Sequence, residues 1–177
     1  HVEITRDMAE SFNKAYGVET LKLPEPLISK ETGRVIGTDG ERKMSKSLGN
    51  VIGIFDPEEV IKKQIRGCFT DPNRLKATDP GKVEGNSVFL FHDLLNDNID
   101  EVNVLKERYR QGTVGDVEVK DKLFEAHIRT FAKARERRSY LQNHMEEVKD
   151  ALKLGAEKAT LVANQTLEEV YKVIGIK

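Results

Sequence analysis

The chain has 177 residues, 33% of them charged and 38% from the apolar set AVILMFWYC, with a mean hydropathy of −0.53. No apolar run approaches the ~20 residues a helix needs to cross a bilayer, so the composition excludes a membrane-spanning protein and fits a soluble, helix-rich chain of one ordinary domain or two small ones. Lys and Arg total 29 against 30 Asp and Glu, a formal charge of −1, so no global basic field marks a nucleic-acid binder; the single cysteine excludes an internal disulfide framework and any multi-cysteine metal site.

The first residues, HVEITRDMAESFNKAYG, read as the inside of a helix, with Ile4, Met8 and Phe12 on one face and Gly17 as its stop. They carry no initiator Met, basic n-region or apolar h-region, which predicts a chain cut from something longer and without a signal peptide. From 18 to 50 short apolar runs (LKL, PLI, RVIG) are broken by Pro24, Pro26 and four glycines, a pattern of strand and loop. Asp56-Pro57-Glu58-Glu59 predicts an N-cap, a proline at the first helical position and an acidic first turn, followed by Val60, Ile61 and Ile65 and a stop at Gly67. Cys68 beside Phe69 reads as a small buried apolar residue of a protein kept in a reducing, cytoplasmic compartment.

The segment TDPNRLKATDPGKVEGN is rich in turn residues, with Asp71-Pro72 and Asp79-Pro80 as turn or helix-start signals. It places a boundary near residue 70, between an α/β part over 1–70 and an all-helical part over 71–177. Segments SVFLFHDLLND, VNVLKERYRQ, KDKLFEAHIRTFAKARERRSYLQNHMEEVKDALKL and AEKATLVANQTLEEVYKVI each space their apolar residues by three and four. In the last, Ala156, Ala159, Ala163, Leu167, Val170 and Ile174 form a face expected to pack on a neighbour. His1, His92, His127 and His144 lack metal-ligand spacing and are expected at the surface or half-buried. Arg129, Lys133, Arg135, Arg137 and Arg138 crowd one stretch of helix, diluted by Glu125 and Glu136. That stretch reads as a grip on nucleic-acid phosphates or as a solvated face.

Chemistry concentrates at Lys43-Met44-Ser45-Lys46-Ser47, a loop preceded by TDGER and followed by Leu48-Gly49-Asn50. Two ammonium groups can neutralise a phosphate chain, two hydroxyls can donate to its oxygens, and flanking glycines allow close approach or movement. This pentapeptide matches the signature loop of class I aminoacyl-tRNA synthetases; chance would produce it in a chain of this length at a rate on the order of 10⁻⁴. HVEITRDMAESFN, LPEPLI and GRVIG resemble the helix and strands around that loop in the tryptophanyl and tyrosyl subgroup. CFTDPNRLKATDPGKVEGNSVFLFH and LKLGAEKATLVANQTLEEVYKVIG resemble the helical domain of bacterial tryptophanyl members.

The resemblance implies a mainly α chain: the end of a Rossmann-type α/β nucleotide-binding domain (1–70), then an all-α anticodon-binding domain (71–177). It implies that Lys43 and Lys46 stabilise the triphosphate of ATP as the tryptophan carboxylate attacks the α-phosphate, with Ser45 and Ser47 supporting the loop. Backbone groups of Val35 and Met44 would meet adenine, and Mg2+ would be held mainly by the nucleotide. Implied partners are tRNA(Trp), tryptophan and ATP, with a homodimer for the full-length protein, no membrane and a cytoplasmic location. The family's His-Ile-Gly-His-type loop has no counterpart here, and the indole-selecting region falls before His1, so the chain alone is expected to be inactive. Relatives with an iron–sulfur cluster carry cysteines where this chain has Asn86, Tyr109, Asp116 and Val119, so no cluster is expected. A tyrosyl enzyme and a non-catalytic tRNA-binding module remain as alternatives.

Overall fold

The computed structural model describes residues 1–28 and 33–176. Contacts divide the chain into two compact units, one over residues 30–139 and one from the two ends, up to residue 29 and from residue 140 onward.

In the end unit, helix α1 (Val2–Tyr16) stops where expected: Gly17 takes φ +66° and its left-handed turn lets Val18 N–H reach Asn13 C=O at 3.0 Å. Asn13 then holds the following chain through both ends of its amide, Nδ2 donating to Leu21 C=O (2.7 Å) and Oδ1 accepting from Leu21 N–H (3.0 Å). The runs LKL and PLI form no strand there; Pro24 and Pro26 remove two ladder donors from the segment. The last helix, α6 (Met145–Val173), passes through Gly155 without a break, at a cost of about 1 kcal/mol relative to alanine. Its start follows a tight turn in which Asn143 and His144 N–H groups bond to Tyr140 and Leu141 C=O. α6 contains no buried residue, so the stripe from Ala156 to Leu167 expected to pack stands exposed. An apolar face specifies burial but names no partner.

The other unit holds the core. Helix α2 (Glu58–Arg66) is capped by Pro57 rather than by Asp56, one residue later than the sequence predicts. Helix α3 (Ser87–Leu95) is apolar on nearly all sides, and five of its residues are buried. Asn86 caps it by accepting from Val88 N–H at 3.0 Å. Helices α4 (Ile99–Arg110) and α5 (Asp116–Gln142) complete the set, α4 capped by Asn98. Ile61 and Ile65 of α2, Phe89 of α3, Leu105 and Tyr109 of α4 and Val119 and Leu123 of α5 form one buried cluster. Full burial of each such side chain is worth roughly 1.5–3 kcal/mol. This core runs across residue 70. Among the described residues the only β pairing is an isolated bridge, Ile36 to Lys43, so RVIG contributes one residue to a pair rather than a strand.

Beneath α4 the side chain of Arg74 is enclosed. Its Nε donates to Asp79 C=O (2.8 Å), its Nη2 donates to both the Ala77 and the Val114 carbonyls, and its Cζ lies 4.2 Å from the Tyr109 ring centroid. Asp116 supplies the countercharge at 3.6 Å and accepts from Tyr109 Oη at 2.8 Å.

Candidate functional site

Residues 35–50 form two short limbs joined at the bridge, where Gly37 N–H donates to Arg42 C=O (2.8 Å) and Met44 N–H to Val35 C=O (2.9 Å). The turn between them is organised by Asp39, whose carboxylate accepts from the Glu41 and Arg42 N–H groups (3.1 and 3.0 Å) and from Arg42 Nε (3.0 Å). Gly40 takes φ +75° with the Phe69 ring directly behind it, leaving no room for a β-carbon. Phe69 N–H in turn donates to Thr38 C=O at 2.7 Å. Val35 and Met44 are half-buried and pack on the core, which anchors both limbs.

The loop expected to bind phosphate follows. Ser45 precedes a single 3₁₀ turn, Lys46–Leu48, and Gly49 at φ +68° closes it. Ser45 and Ser47 hydroxyls lie 2.8 Å apart. Lys43 and Lys46 are exposed, and neither makes an ion pair with a carboxylate among the described residues. Asn50, buried to 4% exposure, sits behind the loop: Oδ1 accepts from Ser45 N–H (2.8 Å), while Nδ2 donates to Asp39 Oδ2 (2.8 Å) and Lys43 C=O (3.3 Å). Desolvation pushes the Asp39 carboxyl up, but the donors from Glu41, Asn50 and Arg42 outweigh it and hold it at about 2, firmly ionised. Sequence reasoning singled out the five signature residues and missed Asn50 and Asp39. The signal was present as polar residues flanking glycines on either side of the motif.

The segment leading into α2 is fastened twice. Gln64 accepts from Gly53 N–H (2.8 Å) and donates to Asp56 (3.0 Å). From α5, Arg135 donates to Ile54 C=O (2.8 Å) and Asp56 C=O (3.0 Å), and Arg138 lies 4.7 Å over the Phe55 ring. Lys120 closes the far end of α2 through Arg66 C=O (2.9 Å) and Cys68 C=O (2.7 Å). Two of the five basic residues therefore brace the loop's support. A third, Arg129, bonds Asp97 and Asn96 at 2.8 and 2.9 Å, while Lys133 and Arg137 are exposed. Glu125 pairs with Lys122 instead of with an arginine.

Histidine placement differs from expectation. His92 and His127 are fully buried, at 0% and 1% exposure. His92 Nε2 lies 3.0 Å from Val119 C=O, whereas neither ring nitrogen of His127 has a hydrogen-bond partner among the described residues. Burial, with help from the charge of Arg135, pushes His127 down to about 4. Burial likewise raises the Cys68 thiol to about 12, as befits an inert core residue. Asn86, Tyr109, Asp116 and Val119 are occupied as a helix cap, a hydrogen-bonded pair and a core contact. No group of three or more His, Cys, Asp or Glu placed to hold a metal occurs among the described residues.

A family model described as tRNA synthetases class I (W and Y) matches residues 1–132. The chain belongs to that family. Among relatives of these class I synthetases, the tryptophan–tRNA ligase of Treponema pallidum is 45% identical over 177 residues, covering 99% of this chain and 52% of its own length. That of Chlamydia caviae is 43% identical over 174 residues, covering 98% and 50%. A crystal structure of tryptophanyl-tRNA synthetase from Campylobacter jejuni, complexed with ADP and tryptophan, superposes with a TM-score of 0.78 at 36% identity over 99% of this chain and 53% of that one. The fold of the class I synthetases is therefore shared, and the chain spans about half the length of the curated relatives it matches. No helix among the described residues is long and apolar enough to cross a membrane.

Proposed function

We propose that this chain is part of a tryptophan–tRNA ligase and supplies its mobile ATP loop together with its tRNA-facing helices. The observation that carries the reading is the pair Lys43 and Lys46, two exposed cations without carboxylate partners among the described residues, presented on a loop whose first residues, Lys43 and Ser45, are hydrogen-bonded to the buried Asn50. As the tryptophan carboxylate attacks the α-phosphorus of ATP and the bond to pyrophosphate breaks, negative charge gathers on the leaving phosphates. Lys43 and Lys46 would meet that charge, and a preformed cation stabilises developing charge without reorganisation. Ser45 and Ser47 would donate to phosphate oxygens. Met44 N–H is already bonded to Val35 C=O, so an adenine contact at these residues would use the Val35 N–H or the Met44 C=O. The donor set fits a phosphate chain, and the Asp39 carboxylate is consumed by its own turn; Mg2+ would then be held mainly by the nucleotide, where it neutralises phosphate charge.

In this reading residues 1–70 close the nucleotide-binding domain, residues 71–177 form the helical tRNA domain, and the full-length protein works as a cytoplasmic homodimer on tRNA(Trp). The supporting relatives bear the name tryptophan–tRNA ligase, which favours tryptophan over tyrosine. The test is pyrophosphate exchange by the full-length protein with tryptophan or tyrosine. Tryptophan-dependent exchange is expected, and Lys43→Ala or Lys46→Ala should slow it by roughly 10²-fold or more. Normal exchange in both variants would refute the loop's role, and no exchange at all by the parent would favour the binding-module alternative.

A further inference from the structure

The amide of Asn50 can face its surroundings in only one way. A carboxylate accepts and never donates, so the ionised Asp39 requires the Nδ2 end of Asn50 at 2.8 Å, and this turns Oδ1 toward Ser45 N–H at 2.8 Å on the opposite side. The second Nδ2 hydrogen reaches Lys43 C=O at 3.3 Å, and the Asn50 backbone carbonyl accepts from Thr38 N–H at 2.9 Å. One buried side chain thus bonds the backbone on both sides of Met44 and the turn that precedes it. Gly37 makes room for it: a β-carbon there would lie 2.2 Å from Asn50 Nδ2. Beyond Ser45 the chain is held more loosely. The 3₁₀ turn rests on two backbone bonds of 3.2 Å, from Leu48 N–H to Ser45 C=O and from Gly49 N–H to Lys46 C=O, and on the exposed 2.8 Å contact between the Ser45 and Ser47 hydroxyls, and Gly49 has open space around it.

We infer that Asp39 and Asn50 form a latch that fixes Lys43 and Ser45 while leaving residues 46–49 free to move, and that Asn50 is a positioning residue for phosphate binding. This rests on the reading of Lys43 and Lys46 as triphosphate ligands. The latch also explains how a carboxylate eleven residues before Asn50 avoids neutralising the lysines: its oxygens are taken up by Glu41, Arg42 and Asn50. Lys43 acts as a fixed charge and Lys46 as a swinging one.

The experiment uses the full-length enzyme with Asn50→Asp, Asp39→Asn, the double swap Asp39→Asn/Asn50→Asp, and Lys43→Ala and Lys46→Ala alongside. Asn50→Asp sets a second carboxylate against Asp39 and deprives Lys43 C=O of its donor. Activation kcat should fall roughly 10- to 100-fold and the KM for ATP should rise, since a displaced charge loses most of its effect within about 1 Å. The KM for tryptophan should stay within about twofold, and amide exchange across 43–49 should quicken. The swap restores one carboxylate facing one amide and should recover part of kcat, which a general loss of stability would not do. If Asn50→Asp does not fold, Asn50→Ala removes the same side-chain bonds and should show the same split between ATP and tryptophan. Normal activation by the Asn50 variants beside inactive lysine variants would overturn the latch alone. Normal activation by the lysine variants would overturn the reading of the loop and the latch's role with it.

Discussion

Mild acid should destabilise this chain through His127, and replacing that one residue should remove a defined part of the effect. The folded state holds the imidazole neutral down to about 4, while in the unfolded chain it titrates near its ordinary 6.5. Above 6.5 both states are neutral and the group contributes nothing to pH dependence. As pH falls from 6.5 toward 4 the unfolded state gains a proton that the folded state refuses, so stability falls across that window and levels off below it. The full difference corresponds to about 3 kcal/mol, of which about 2 kcal/mol is lost by pH 5. Urea unfolding followed by circular dichroism and tyrosine fluorescence at pH 7.5 and pH 5.0 measures it. His127→Leu keeps an apolar side chain of similar size against Phe131 and should lose about 2 kcal/mol less than wild type between the two pH values. His92, also lowered by burial, is present in both proteins and cancels from the comparison. Carboxylates such as Asp71, Asp97 and Glu101, held low by hydrogen bonds and Arg or Lys partners, lose their contribution at still lower pH. Equal pH slopes for wild type and His127→Leu would refute the argument.

Arg74→Met should cost about 3–5 kcal/mol in urea unfolding, because Asp79, Ala77 and Val114 carbonyls and Asp116 lose their donor, while Tyr109→Phe, which deletes one hydrogen bond to Asp116, should cost about 1 kcal/mol. Arg135→Gln should loosen residues 54–56, seen as faster amide exchange there, whereas Lys133→Gln should leave stability within about 0.5 kcal/mol and reduce the salt slope of tRNA binding by the full-length protein by about one ion. Gly37→Ala should disturb the loop as strongly as loss of Asn50 does, read by amide exchange across 43–49, since its β-carbon would occupy the space of the Asn50 amide.

What the sequence disclosed depended on how local the cause was. Gly17 and Gly67 end helices for reasons contained within a turn, and both ends fall where the residues indicate. Gly155 carries the same signal but α6 continues through it, because about 1 kcal/mol is small against the cooperativity of a long helix. The lysines proposed to meet phosphate were legible because the motif consists of adjacent residues. Asp39 and Asn50 were not, since each gains its role only when the turn folds them to within 2.8 Å of each other. Composition alone cannot tell a charged arginine facing water from one bonded to a carbonyl 81 residues away, as Arg135 is to Ile54. His92 and His127 were misjudged for a related reason: a neutral imidazole is apolar enough to be enclosed, and nothing in the neighbouring letters records it.

The braces from α5 also set a schedule for synthesis. Arg135 lies 79 residues after the carbonyl of Asp56 that it holds, and Lys120 lies 52 residues after Cys68. At translation rates of about 5–20 residues per second, the segment beneath the loop would wait roughly 4–16 s on the ribosome before its second support is made. Until the first turns of α5 are made, α2 has neither its C-terminal cap from Lys120 nor the core contacts of Val119 and Leu123. A nascent chain arrested before residue 120 should therefore expose the signature loop to protease and acquire protection only once α5 has left the exit tunnel.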